Sequence, residues 1–321
     1  MIEYSKENRV ASYFSNLRNP KTIALLCLLA SGLTLGVTTN LAKLAPQLGI
    51  APLPYLVWSL CGATLLLWGF AVLRQKALVI NRRTLEYFVV AGFLTTAGAN
   101  LILFNAVTRL GVSFVAMMIT LPPLFTYGGA LLLRMERFSW RRAAGVGIAI
   151  VGTTLLVAER WGAEKSNLPW ILLTLTAPIL LAAGNLYRTY RWPPNASSES
   201  LAPGMLAAAT AMLFGYATAT DVPLNIPPHH ASSLLLILFQ ATIFTAQFLL
   251  MFALQKSGGP VLLSLMGGVS AMFGVPIAMG LYGEPLPPIF LIAAAMVTAG
   301  TLGLLFSQNI MAGKTPISCG G

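Results

Sequence analysis

Eight amides and hydroxyls, Asn40, Thr95, Asn100, Asn105, Asn185, Gln240, Thr242 and Gln247, lie inside stretches of the chain that are otherwise apolar. Such groups donate and accept hydrogen bonds but carry no titratable proton near neutral pH. Their chemistry is recognition of a polar solute, or bonding between helices, rather than proton transfer. In hydrocarbon an unpaired polar group costs several kcal/mol, so each must face a bundle interior. Asn40, Asn100, Asn105, Asn185 and Gln247 are therefore candidate solute-binding residues. Trp58 and Tyr187 join them as aromatics that could stack on a ligand, with Tyr55, Phe104 and Phe252 at neighbouring levels.

The same search disfavours catalysis. "GVSAMFG" places Ser270 in a small-residue stretch, but a serine needs a base beside it, and His229 and His230 fall in a loop. No acidic pair is placed to hold a metal for transferase chemistry, so neither metal nor cofactor is expected and the chain is not read as an enzyme. Glu136 and Glu284 sit at span ends, where capping and loop contacts are the simplest roles.

The elements that position these residues are membrane spans. Of 321 residues 56% are hydrophobic and 9% charged, and the mean hydropathy is +0.76, which excludes an ordinary water-soluble domain. The net charge of +11 sits between apolar runs, as membrane-flanking anchors do, and does not form a nucleic-acid surface. Apolar stretches near spanning length predict helices at 22–44, 52–73, 86–107, 112–133, 139–158, 168–190, 202–220, 232–255, 260–282 and 287–307. Placed on alternating faces with the N-terminus inside, sixteen of the twenty Lys and Arg fall on one side and four, Lys43, Arg109, Arg160 and Lys165, on the other. Positive residues are retained on the cytoplasmic face, so ten spans with both termini cytoplasmic are expected. Residues 1–21 and 308–321 are then cytoplasmic segments.

The chain also echoes itself. Thr95, Asn100 and Gly111 recur 147 residues later as Thr242, Gln247 and Gly258. Glu136, Gly152 and Thr153 recur 148 later as Glu284, Gly300 and Thr301, while Asn40 and Lys43 recur as Asn185 and Arg188. Two five-helix units, 22–160 and 168–307, follow. Five is odd, so the second enters from the opposite side, the inverted repeat that suits alternating access. The loop "RMERFSWRR" and its basic-free counterpart "YGEPLPP" agree with that inversion.

Glu136 followed by Gly145 and Gly152, with Glu284, Ala293 and Gly300 at the same spacing, resembles the signature that closes each unit of EamA-type transporters in the drug/metabolite transporter superfamily. "FNAVTRLGVSFVAMM" is similar to that family's junction between third and fourth helices. Leu35 before Gly36, and Trp58–Ser59 without a nearby Arg, depart from its common pattern. The resemblance implies an all-α integral membrane protein of the cell inner membrane, a monomer or homodimer that carries a small molecule across the bilayer.

With no Asp or Glu in the interior of a predicted helix, carboxylate proton coupling is not expected. A small neutral or zwitterionic metabolite such as an amino acid, exported or exchanged, fits the amide-lined interior. The alternatives are a carrier of anions guarded by Lys43 and Arg188, or a passive channel or lipid-handling protein. The simpler expectation for Lys43 and Arg188 is that they snorkel to the bilayer surface. Gly32 and Gly36 predict a close helix contact. Pro122 with Pro123, and Gly267 with Gly268 and Pro276, predict breaks in the fourth and ninth helices.

Overall fold

Helices dominate the computed structural model, which describes residues 20–75, 80–103, 105–106, 118–119, 121–158, 168–194, 196–226, 231–283 and 290–307. Phe104, His229, His230, Glu284 and the two end segments lie outside these residues. In chain order the helices are α1 (Pro20–Leu44), α2 (Pro52–Leu73), α3 (Arg82–Leu103), α4 (Pro122–Leu132), α5 (Trp140–Ala158), α6 (Leu168–Tyr190), α7 (Ser198–Ala219), α8 (Ala231–Ser264), α9 (Met266–Tyr282) and α10 (Phe290–Ser307). Six of them, α1, α2, α3, α6, α7 and α8, are long and apolar enough to cross a membrane, and α9 is a shorter apolar helix. The chain is a multi-pass helical membrane protein.

Local chemistry sets the boundaries. Pro52 opens α2 at a position whose N–H has no intrahelical partner in any case. Asn81 accepts from the Thr84 amide while the Thr84 hydroxyl accepts from the Asn81 amide, a reciprocal cap that starts α3 four residues before its apolar stretch. Ser197 and Ser200 do the same for α7. The expected absence of acidic residues within helices is corrected by the cap on α3. Glu86 stands in its second turn, exposed.

Pro122 and Pro123 open α4, so the break expected in the fourth helix falls just before them. A turn closed by the Leu121 amide on the Met118 carbonyl precedes them. In α8, Gly259 has φ of 72° and ψ of −178°, and the chain resumes helical geometry at Pro260, turns at Leu265 and enters α9. The expected ninth helix, 260–282, is thus cut at Leu265, just before Gly267. Pro276 is accommodated inside α9.

Packing runs in pairs. Helix α1 lies against α8 and α9, α2 against α7 and α8, α3 against α6 and α7, α4 against α6 and α8, and α5 along α10. Gly32 and Gly36 make the close contact expected of them. A Cβ on Gly36 would stand 2.9 Å from the Ser270 carbonyl oxygen and 3.0 Å from the Gly274 amide, so α1 and α9 meet backbone to backbone. Leu65, Leu66, Trp68, Val72 and Leu73 of α2, and Leu234, Leu235, Leu238 and Phe239 of α8, face outward, the apolar exterior that lipid solvates.

Candidate functional site

The polar side chains gather into two layers that share α8. From Gln240 to Gln255 is 15 residues, about 22 Å of helix at 1.5 Å per residue, so the layers lie well apart along the bundle.

The first layer joins α1, α2, α8 and α9. The Tyr55 hydroxyl donates to Gln240 Oε1 at 2.9 Å, Gln240 Nε2 donates to the Thr38 hydroxyl at 3.1 Å, and that hydroxyl donates to Gln247 Oε1 at 3.2 Å. Each donor meets an acceptor, so the relay runs in one direction from Tyr55 to Gln247. Gln240 is wholly buried and Gln247 is buried. Two residues beyond Thr38, Asn40 Nδ2 donates to the Gly36 and Gly274 carbonyls at 2.8 and 3.0 Å, its backbone carbonyl accepts from the Tyr282 hydroxyl at 2.7 Å, and its Oδ1 is buried without a partner. Lys43 Nζ lies 5.8 Å from the centre of the Tyr282 ring. Trp58 Nε1 donates to the Leu224 carbonyl at 2.9 Å and its ring meets Phe214 edge-on, tying the segment after α7 onto α2.

The second layer joins α3, α6 and α8 around Arg188. Among the described residues its side chain is the largest of the fully buried ones, which overturns the expectation that it snorkels. The guanidinium carbon lies 4.5 Å from the Phe252 ring centre, Nη1 donates to the Met251 sulfur at 3.4 Å, and the Tyr87 phenol stands beside it without hydrogen-bond geometry. Nε and Nη2 are buried with no partner. Gln255 Nε2 donates to the Asn185 carbonyl at 3.2 Å and to the Thr189 hydroxyl at 2.8 Å, leaving Gln255 Oε1 buried and unpaired. Tyr187 stacks on Tyr87 with centroids 6.1 Å apart, and its hydroxyl donates to Glu86 Oε1 at 3.3 Å.

The sequence candidates thus divide. Asn40 and Gln247 enter the first layer, with Trp58 at its edge, and Tyr187 enters the second, where Asn185 contributes its backbone carbonyl. Asn100 stays on α3 and Asn105 lies just beyond its end, both half-buried, and Asn105 Nδ2 donates back to the Leu101 carbonyl of α3. Sequence reasoning passed over Thr38 and Tyr87, which are common residues at positions with no repeat partner of like type. The turn before α4 meets the start of α9. A Cβ on Gly267 would lie 2.9 Å from the Ile119 carbonyl oxygen. Glu136, in the loop before α5, pairs with Arg142 in the first turn of α5 at 2.8 Å, the local contact expected of it. Among the described residues no group of His, Cys, Asp and Glu is arranged to hold a metal.

An all-helical membrane bundle with polar layers and no metal cluster among its described residues defines a class of membrane proteins rather than one activity. Residues 22–158 match the EamA-like transporter family, and the match ends where α5 ends. No curated protein matches. A solved structure titled only "Crystal structure of protein" is similar over 91% of this chain and 99% of its own, with a TM-score of 0.73 and 15% sequence identity, a likeness of fold.

Proposed function

We propose that the chain is a secondary transporter that moves a small neutral or zwitterionic metabolite, such as an amino acid, by alternating access, as an exporter or exchanger. In this reading ten helices form two oppositely threaded units, 22–160 and 168–307, in the cell inner membrane with both termini cytoplasmic. The helix pairing carries it. Advancing every helix by five turns α1–α9 into α6–α4, α1–α8 into α6–α3 and α2–α8 into α7–α3, and returns α2–α7 and α5–α10 to themselves. Every one of those pairs is in contact. Two like halves that can exchange conformations supply the two states alternating access needs. The layers around Gln240 and Arg188 then stand where the two mouths close.

Reconstitution into liposomes with labelled amino acids and amines tests this. Saturable uptake and counterflow are expected, equal with and without an imposed pH gradient. Flux that rises linearly with solute and shows no counterflow would mean a channel instead.

A further inference from the structure

Arg188 poses a problem of charge. Burial strips a guanidinium of water, and a buried ion is costly unless paired and hydrogen-bonded. No carboxylate pairs with it among the described residues. The Phe252 face and the Met251 sulfur are a partial offset, the first through the ring's negative quadrupole and the second as a weak acceptor. What is left unpaired is specific in shape. With Nη1 occupied, Nε and Nη2 form the remaining edge of the planar fork, whose two parallel N–H bonds match the two oxygens of a carboxylate.

A second unpaired atom lies in the same seam. Gln255 is one turn beyond Phe252 and Met251 on α8, and both its amide hydrogen bonds go to α6, at Asn185 and Thr189, on either side of Arg188. Its Oε1 is a buried acceptor with no donor. The α6–α8 seam therefore presents an unmatched cationic donor edge together with an unmatched neutral acceptor. An α-amino acid carries the complementary pair, a carboxylate and an ammonium.

We propose that the α6–α8 seam is the binding site for a zwitterionic α-amino acid, with the Nε and Nη2 edge of Arg188 taking the carboxylate and Gln255 Oε1 accepting from the ammonium. The inference rests on the transporter reading and narrows its substrate class. Phe252 covers the face of the guanidinium and the Tyr87 phenol stands beside it.

The test uses purified full-length protein and measures thermal stabilisation by L-alanine, L-leucine, L-phenylalanine and L-glutamine, each beside its amide and its decarboxylated amine. Wild type is expected to be stabilised by at least one free acid and not by the matching amide or amine. Arg188→Met should lose that response, weakening binding about 10- to 100-fold, the worth of a charge-assisted bidentate contact. Gln255→Leu should weaken the amino acid more than the corresponding α-keto acid. Without ligand, Arg188→Met is expected to melt above wild type because an unpaired buried cation is gone. A merely structural arginine gives the opposite shift. Stabilisation by none of the free acids, a ligand-free Arg188→Met that melts below wild type, or folded Arg188→Met that still responds to the acid would each overturn the proposal. Counterflow separates the two readings. Free acids that bind without counterflow would sink the transporter and leave the seam, whereas counterflow with unchanged KM in Arg188→Met would sink the seam and leave the transporter.

Discussion

Thr38 is the node of the first polar layer, and Thr38→Val removes its hydroxyl while keeping its β-branched shape. The hydroxyl accepts from Gln240 Nε2 at 3.1 Å and donates to Gln247 Oε1 at 3.2 Å. Hydrogen bonds between helices in a bilayer average about 0.6 kcal/mol and reach about 1.7, so two of them amount to roughly 1–3 kcal/mol. The wholly buried Gln240 keeps its bond from Tyr55 but is left with an unpaired amide donor. At about 2 °C per kcal/mol for a chain of this size the melting temperature should fall by roughly 2–6 °C. If this layer closes one mouth of a transport path, the bonds exist only in the closed state. Their loss should then shift the closed-to-open ratio about 5- to 150-fold. Ser59 lies one turn from Tyr55 on α2, fully buried and without a partner. In a background with Cys27, Cys61 and Cys319 replaced, maleimide labelling of Ser59→Cys should accelerate in that range with Thr38→Val and stay slow with Thr38→Ser, which keeps the hydroxyl. Equal labelling in both variants would refute the idea that the relay holds this end shut, and equal melting would refute the relay itself.

Gly300→Val should lower the melting temperature sharply, because even a Cβ there would stand 2.5 Å from the Gly145 carbonyl oxygen and 2.8 Å from the Ala149 amide. Overpacking of this kind costs about 1–3 kcal/mol, and fluorescence-detected melting would show it. Trp58→Phe loses the bond to the Leu224 carbonyl but keeps a ring against Phe214. A stability loss of about 1 kcal/mol with unchanged counterflow KM is expected, and a changed KM at constant stability would mean that Trp58 touches the solute. Leucine at Asn100 or Gln247 should impair counterflow without preventing insertion, and unchanged KM in both would remove them from the path.

Much of the bundle was readable because hydrophobicity and proline mark membrane helices well. The bounds expected for the second and sixth helices, 52–73 and 168–190, coincide with α2 and α6. Where reading failed, the signal lay in residues that hydropathy penalises. The run "NRRT" looks like loop, yet it contains the Asn81–Thr84 cap that starts α3, and missing it left Glu86 as the first residue of the expected helix, 86–107, when it lies in the second turn. The family-like glycines gained a physical meaning only from packing. Gly145 and Gly300, which hold different places in the two copies of the motif, touch across α5 and α10.

Arg188 shows the deeper limit. A helix that is apolar around its whole circumference gives no indication of which face packs inward, so a cation near its end reads equally as a snorkelling anchor or a buried charge. Only the docking of α6 on α3 and α8 decides between them, because it places Phe252, Met251 and Tyr87 around the guanidinium. The same reasoning applies to the helix breaks. Prolines and glycines announce breaks near the starts of α4 and α9, but not that the breaks face each other. Gly267 lacks a side chain at the one place where the Ile119 carbonyl approaches. Substituting Ala there would press on that carbonyl from 2.9 Å, at the crossing of the two segments that an exchange of conformations would have to move together. Gly267→Ala should therefore slow counterflow more than it lowers the melting temperature, and the reverse ranking would make this crossing a packing contact and no more.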